Sequence, residues 1–246
     1  MLDDRLKAET GASEAVVLAG GLGTRLRASV PDLPKPLAPV AGRPFLEYLL
    51  VKLKSEGVRR VILSVGYRHE AIVDHFGSAW NGLDLVYAVE ESPLGTGGAL
   101  ALALEKAQRE HVLAMNGDTL VDADFRALCA RRAAAGAPFA MLVREIEDSG
   151  RFGVCQVEDG RLTGFAPGLP GEPGWINAGV YCLASDFLSR MALKIPCSFE
   201  ADILPAALDR HTLVVEPTRA PFIDIGVPES YAHAQNFIPE MARRYS

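Results

Sequence analysis

The chain has 246 residues, 49% of them hydrophobic and 23% charged, with a formal net charge of −6. That mixture is the composition of an ordinary globular protein long enough to bury a sizeable core. It excludes a basic stripe of the kind that tracks nucleic acid, and no apolar run reaches the roughly 18 residues a membrane span needs.

The leader MLDDRLKAETGASEA has no apolar core, so no signal peptide is expected. AVVLAG (15–20) reads as a buried strand ending in glycine, and a Gly- and Pro-rich stretch then runs to about Pro44. PFLEYLLVKLKSEG carries Phe45, Leu49, Leu50 and Leu53 at helical spacing, with a proline suited to the first turn and Gly57 as a stop. Next come a strand over 58–66, a short helix over 68–77, a strand over 84–90 and a helix over 97–108. HVLAMN (111–116) is a strand running into Gly117-Asp118, and a helix over 122–136 takes Asp122 as its cap.

This alternation predicts an α/β fold with a doubly wound, mostly parallel sheet that binds ligands outside the carboxyl ends of its strands. The segments around Gly20, Glu90 and Asp118 all fall at such ends. From about Pro138 the rhythm changes. PFAMLVREI, GVCQVEDGRLTGF and WINAGVYCL read as strands, with EDG (158–160) as a hairpin turn. A helical stretch at SFEADILPAALDR, a strand at TLVVEP, the segment FIDIG and a helix from Pro228 complete an α+β second half. With no repeat and no linker-like run, residues 1–246 are expected to form a single domain. Cys129, Cys155, Cys182 and Cys197 lack CxxC spacing, which favours ordinary thiols and a reducing cytoplasm.

GGLGTRL (20–26) follows a strand, and PKPL (34–37) lies just beyond it. Glycines there let the backbone approach a phosphate, while Arg25 supplies a planar fork and Lys35 a compact charge. A dinucleotide fingerprint from Gly21 fails because Leu26 occupies the third glycine position, and GxxxxGK[ST] is absent. The remaining alternative is a glycine-rich surface loop with two solvated cations.

GGLGTRL followed by PKP resembles the signature loop of the sugar-phosphate nucleotidyltransferase superfamily. The resemblance continues at LGTGGAL (94–100), NGDTL (116–120), RFGVCQV (151–157), NAGVYCL (177–183), FEADILP (199–205) and FIDIGVPE (222–229). Within the superfamily, the wording of DLPKPLAPVAGRPFLEYLL and FIDIGVPESYAHAQ resembles the D-glycero-α-D-manno-heptose 1-phosphate guanylyltransferases. The resemblance implies a Rossmann-like, GT-A-type nucleotidyltransferase fold. A nucleotide-binding half would occupy about 14–136 and a sugar-phosphate-binding half about 137–246. It also implies transfer of a nucleoside monophosphate (GMP from GTP) to a sugar 1-phosphate, with release of pyrophosphate. Gly20, Gly21, Gly23, Thr24, Arg25, Gly97, Gly98 and Asp118 would hold the nucleotide, with Arg25, Lys35 and Asp118 catalytic. Gly153, Asn177, Gly179 and Glu200 would surround the sugar.

Asp118 follows an apolar strand and Asp224 sits between Ile223 and Ile225. Carboxylates so placed suit a magnesium ion that keeps several waters and bridges phosphate oxygens. The resemblance makes Asp118 and Asp224 the metal ligands and Mg²⁺ the cofactor. Read alone, Asp118 is equally a turn residue or cap, and Asp224 equally a partner for buried backbone donors. His69 and His75 form no ligand set.

One departure from the superfamily stands out. Relatives carry an acidic residue, a lysine and a proline after the second-half hairpin, and the lysine grips the sugar phosphate. GFAPGLPGEPGW (164–175) has no lysine there, which leaves Arg144, Arg151 and Lys194 as substitutes. Three other readings stay open: a pyrophosphorylase for hexose or amino-sugar 1-phosphates, a quiet nucleotide-sugar-binding regulator, and a glycosyltransferase on a related scaffold.

Overall fold

A computed structural model describes residues 11–21, 23, 26, 30 and 33–245. Four parallel strands form one part of its main sheet: β1 (Glu14–Leu18), β4 (Arg60–Val65), β6 (Leu83–Val89) and β7 (His111–Asn116). Helices α1 (Phe45–Ser55), α2 (His69–Phe76) and α3 (Gly95–Leu104) lie between them in sequence. Short strands β2 (Pro39–Val40), β3 (Arg43–Pro44) and β5 (Ala79–Trp80) sit at the connections. Each apolar strand alternates its burial between two cores. Val17, Leu63 and Met115 pack on one face against Leu49 and Leu53 of α1 and Ile72 of α2. Val16, Ile62 and Ala114 face the other core with Leu100 and Ala103 of α3.

Beyond β7 come β8 (Thr119–Val121), α4 (Phe125–Ala134), β9 (Phe139–Ile146), β10 (Gly153–Glu158), β11 (Arg161–Pro167) and β12 (Gly174–Ala184). A π-turn at Phe199–Ile203 leads into α5 (Leu204–Leu208), followed by β13 (Leu213–Thr218), β14 (Phe222–Asp224) and α6 (Pro228–Ala242). Among the described residues ten strands share one sheet in the order β10-β11-β13-β9-β12-β7-β1-β4-β6-β5. The α/β class holds, but the sheet is mixed rather than mostly parallel. β12 runs antiparallel to both β7 and β9, and β10–β11 is a hairpin. Connectivity explains part of this: parallel neighbours need crossovers, which dominate the first half, whereas the tight turn between β10 and β11 forces that pair antiparallel. The β10–β11 turn falls where the sequence placed it, with Asp159 and Gly160 both at positive φ.

The cap of α4 is Asp124, not Asp122. The Asp124 carboxylate accepts from the backbone N–H of Arg126 and Ala127, and these bonds hold it below the usual carboxylate range against partial burial. Asp122 instead receives Arg244 at 2.8 Å, which ties the end of the chain to the segment after β8. Buried Lys52 contacts Glu56 at 2.5 Å and donates to Ala123 O, while Glu56 accepts from Phe125 N. This network anchors α1 to the start of α4 and fixes the chain just beyond Asp118. All four cysteines are free and buried. No helix among the described residues is long and apolar enough to cross a membrane.

Candidate active site

The carboxyl ends of β1, β4, β6 and β7 open into one cavity of about 650 Å³. Gly20, Gly21, Lys35, Gly66, Tyr67, Glu90, Glu91, Gly95, Thr96, Asn116, Gly117 and Asp118 line it from the first half, and Tyr181, Phe199 and Glu200 from the second. Ladder bonding persists past the strands: Ala19 N donates to Ser64 O, Glu90 N to Val65 O and Gly117 N to Leu18 O, all within 2.9 Å. The floor is therefore tightly drawn. A Cβ on Gly117 would stand 2.5 Å from Leu18 O, and one on Gly20 would stand 2.4 Å from Glu90 Oε1. Glycine at 117 is demanded by this convergence, because the clash is with backbone, whereas at 20 the close contact is the movable end of the Glu90 side chain.

Lys35 begins a 3₁₀ turn at Lys35–Leu37, directed by the extended Pro34 before it. Its Nζ lies 2.5 Å from Asp118 Oδ2, and Gly23, at φ +58, packs close against its stem. The structure thus brings together two of the three residues expected to be catalytic. The third, Arg25, and Thr24 lie outside the described residues. Asp118 also accepts from Thr119 Oγ1 at 3.2 Å, and its backbone carbonyl accepts from Ile225 N. β14 pairs antiparallel with β8 in a register that sets Asp224 opposite Thr119. A two-strand ladder absent from the sequence reading therefore delivers Asp224 beside Asp118. Gly226 N donates to Asp224 Oδ1, which orients that carboxylate.

Among the described residues no group of three or more His, Cys, Asp or Glu could by itself hold a metal ion. Two hard carboxylates, Asp118 just before β8 and Asp224 at the end of β14, nevertheless fit magnesium, which takes one or two carboxylates and fills its shell with water and phosphate oxygens.

On the second-half side, β12 carries a bulge between Asn177 and Tyr181, with Gly179 at φ +69. The bulge re-aims Asn177 where β12 passes the end of β7. Asn177 Nδ2 donates to Tyr181 OH at 2.7 Å and to Glu200 Oε1 at 3.1 Å, and its Oδ1 accepts from Gly179 N. Glu200 keeps a face open to the cavity but is hemmed in by these groups. Burial raises its pKa first, and the Asp118 charge adds to that, while hydrogen bonds from Asn116 and Tyr181 oppose it. Of the residues expected around the sugar, Glu200 lines the cavity, and Asn177 and Gly179 support it from behind. Gly153 does not line it; it is exposed at the start of β10, with open space where a Cβ would go.

Gly97 and Gly98, expected against the nucleotide, are buried and lie outside the cavity wall. A Cβ on Gly97 would meet Ile203 Cδ1 at 2.5 Å and Cys197 Sγ at 2.9 Å, and one on Gly98 would meet Leu94 and Ile195. These glycines admit the segment 195–203 against α3. Gly95 and Thr96, at the first turn of α3, form the wall instead, and Thr96 Oγ1 accepts from Phe199 N at 2.8 Å. The sequence reading also passed over Asn116, Tyr181, Tyr67 and Glu91. Only Asn116, in the residue pair before Asp118, carried any local signal.

The three substitute cations differ sharply. Arg144 donates to Ala220 O and Glu145 O and rests over the Phe222 ring. Lys194 borders a second cavity with Arg210 and Asp202. Arg151 is exposed, with Glu229 at 4.0 Å.

The family model described as Nucleotidyl transferase matches residues 14–241. The D-glycero-alpha-D-manno-heptose 1-phosphate guanylyltransferase of Aneurinibacillus thermoaerophilus is 38% identical over 222 residues, covering 90% of this chain and 96% of that protein. The enzyme of the same name from Campylobacter jejuni subsp. jejuni serotype O:2 is 35% identical over 223 residues, covering 89% and 97%. The crystal structure of HddC from Yersinia pseudotuberculosis complexed with GMP-PN aligns with a TM-score of 0.79 at 32% identity, covering 91% of this chain and 98% of that one.

Proposed function

The chain belongs to the nucleotidyl transferase family, and from that premise we propose that it transfers GMP from GTP to D-glycero-α-D-manno-heptose 1-phosphate, releasing pyrophosphate. The observation that carries this reading is the meeting of Lys35 and Asp118, with Asp224 laddered beside them, at the mouth of the parallel strands. A cation and a carboxylate in the cavity wall, with a second carboxylate on the adjoining strand, suit a polyphosphate that must be neutralised and held in line. The names of the relatives support guanine and a heptose.

In this reading Lys35 releases Asp118 and neutralises the triphosphate, and Arg25 joins it by its place in the loop. Gly20, Gly21 and Gly23 let backbone N–H groups approach the phosphates. Asp118 and Asp224 would hold Mg²⁺, which when bound screens the two anionic substrates and stabilises charge on the departing pyrophosphate. Glu90 and Glu91 present carboxylate acceptors in the wall, which suit the N1–H and N2–H donors of guanine. Glu200, oriented by Asn177 and Tyr181, accepts sugar hydroxyls. No protein nucleophile is needed, because the sugar-phosphate oxygen attacks the α-phosphorus directly and the chain supplies position and charge. Residues of about 14–136 serve the nucleotide, and those of about 137–246 the sugar phosphate.

The test is a matrix of four nucleoside triphosphates against heptose, mannose and glucose 1-phosphates with Mg²⁺, read by pyrophosphate release and mass spectrometry. GDP-heptose as the dominant product supports the reading. Preference for another base or sugar replaces the substrate, and silence across the matrix removes the enzymatic reading.

A further inference from the structure

A sugar 1-phosphate is a dianion and calls for a cation near the end of the sheet where Asp118 lies. What stands at that end is set by topology. β12 runs antiparallel to β7, so its residues before Val180 continue past the carboxyl end of β7 at Asn116. β9 and β10 pair with that extension at Arg144↔Ile176 and Val154↔Ile176. The loop 147–152 between β9 and β10 therefore leaves the sheet at the same end as the carboxyl end of β7, outside the residues that line the cavity.

This loop is held with unusual thoroughness for an exposed segment. Asp148 Oδ1 accepts from Gly150 N and Gly171 N, Ser149 N donates to Glu172 O, and Leu169 N donates to Ser149 Oγ. Phe152 N donates to Ser149 O, and Phe152 O accepts from Gly168 N. Ser149 is 1% exposed beneath this lattice, and a Cβ on Gly168 would collide with Ser149 O. The Gly168–Glu172 segment, which has no lysine of its own, thus serves as a scaffold that fixes 148–152. At the tip of the fixed loop Arg151 projects with 66% of its side chain exposed. Its neighbour Glu229 lies 4.0 Å away in the first turn of α6, five residues after Asp224, and is itself 90% exposed. An exposed pair at that separation holds weakly and exchanges readily. Arg144, by contrast, is committed to Ala220 O and Glu145 O.

We infer that Arg151 is the cation that binds the phosphate of the sugar 1-phosphate, exchanging Glu229 for the ligand. This rests on the proposed reading of the site as a sugar-phosphate nucleotidyltransferase. A guanidinium on a preorganised loop offers two parallel donors to phosphate oxygens and loses little freedom on binding.

The test is calorimetric titration of D-glycero-α-D-manno-heptose 1-phosphate into the full chain loaded with Mg²⁺ and a non-hydrolysable GTP analogue, run alongside steady-state kinetics. Arg151→Ala should weaken sugar-phosphate binding by about tenfold to a hundredfold, the range of a lost charge-assisted hydrogen bond. KM for GTP should stay within about twofold, and Tm should not move, as befits an exposed side chain. Arg151→Lys should restore part of the loss. Binding of the unphosphorylated heptose should be equally weak in wild type and Arg151→Ala. Unchanged sugar-phosphate affinity in Arg151→Ala, or a loss seen only with Arg144→Ala, overturns the assignment. Wild-type binding without turnover would remove the transferase reading while leaving Arg151 in place. No binding of heptose, mannose or glucose 1-phosphate by wild type would remove both.

Discussion

Lys35 and Asp118, 83 residues apart in the chain, meet at the cavity wall with Nζ 2.5 Å from Oδ2. The lysine side chain is 12% exposed and the aspartate 35%, so this is a half-sheltered pair that an incoming polyanion can reorganise. Each residue neutralises the other, and in the proposed reading the triphosphate takes the lysine. Lys35→Ala is expected to lower kcat/KM by about 10²–10³-fold, the scale of losing one transition-state charge partner, with a small change in Tm. Pyrophosphate release under matched conditions measures it. Activity within twofold of wild type would remove Lys35 from the triphosphate.

Asp224 reaches the site by strand pairing alone, through the register that opposes it to Thr119. Chelation of divalent metal should abolish turnover. Asp224→Asn should raise the Mg²⁺ concentration for half-maximal rate by about tenfold or more, as expected when a metal site loses an orienting or ligating group. A magnesium titration with an unchanged midpoint would make Asp224 a structural residue, one that accepts from Gly226 N.

Gly97 and Gly117 separate packing from ligand approach. The structure expects Gly97→Ala to act on stability, because the added methyl meets Ile203 and Cys197 inside the fold, at a cost of about 1–3 kcal/mol. Gly117→Ala collides with the Leu18 carbonyl, which is backbone and cannot swing away, and should cost more while also displacing Asp118. Denaturant unfolding and kinetics on both variants give the answer. A Gly97→Ala protein of normal stability with altered base preference would return Gly97 to the nucleotide pocket.

The sequence made Asp118 visible because an apolar strand runs straight into it, and Lys35 visible because a proline-flanked cation follows a glycine-rich loop. Both signals are local. The roles of Gly97 and Gly98 were hidden because they depend on Cys197 and Ile203 for the first and Ile195 for the second, about a hundred residues away, and no pattern near α3 announces those contacts. Asn177 was legible as a polar residue in a strand, but the bulge that turns it toward Glu200 depends on pairing with both β7 and β9. The mixed character of the sheet escaped for the same reason: alternation of strands and helices specifies crossovers, and says nothing of where the later strands insert. Asp122 and Asp124 were separable only by helix phase, since only the carboxylate directly before Phe125 accepts from the first turn of α4.

Glu200 couples the sugar side to pH. Its pKa is raised by burial and by Asp118, against hydrogen bonds from Asn116 and Tyr181. Between the ordinary carboxylate value and the raised one, the native state binds more protons than the unfolded state. Stability therefore falls as pH rises through that window, and the ionised carboxylate is a net cost at neutral pH. Glu200→Gln keeps an acceptor oxygen and removes the charge, so Tm should rise at pH 7.5, and the gain should vanish below the unfolded value. Function should move the other way. The ionised carboxylate is the stronger acceptor for sugar hydroxyls, so KM for the sugar 1-phosphate should rise in wild type as pH falls into the window. In Glu200→Gln it should be high and nearly independent of pH, with KM for GTP unchanged. Melting curves and KM profiles from pH 4 to 8 test both halves together. A variant less stable at pH 7.5 and unaltered in KM would leave Glu200 as a bonding partner of Asn177 and Tyr181, with no part in holding the sugar.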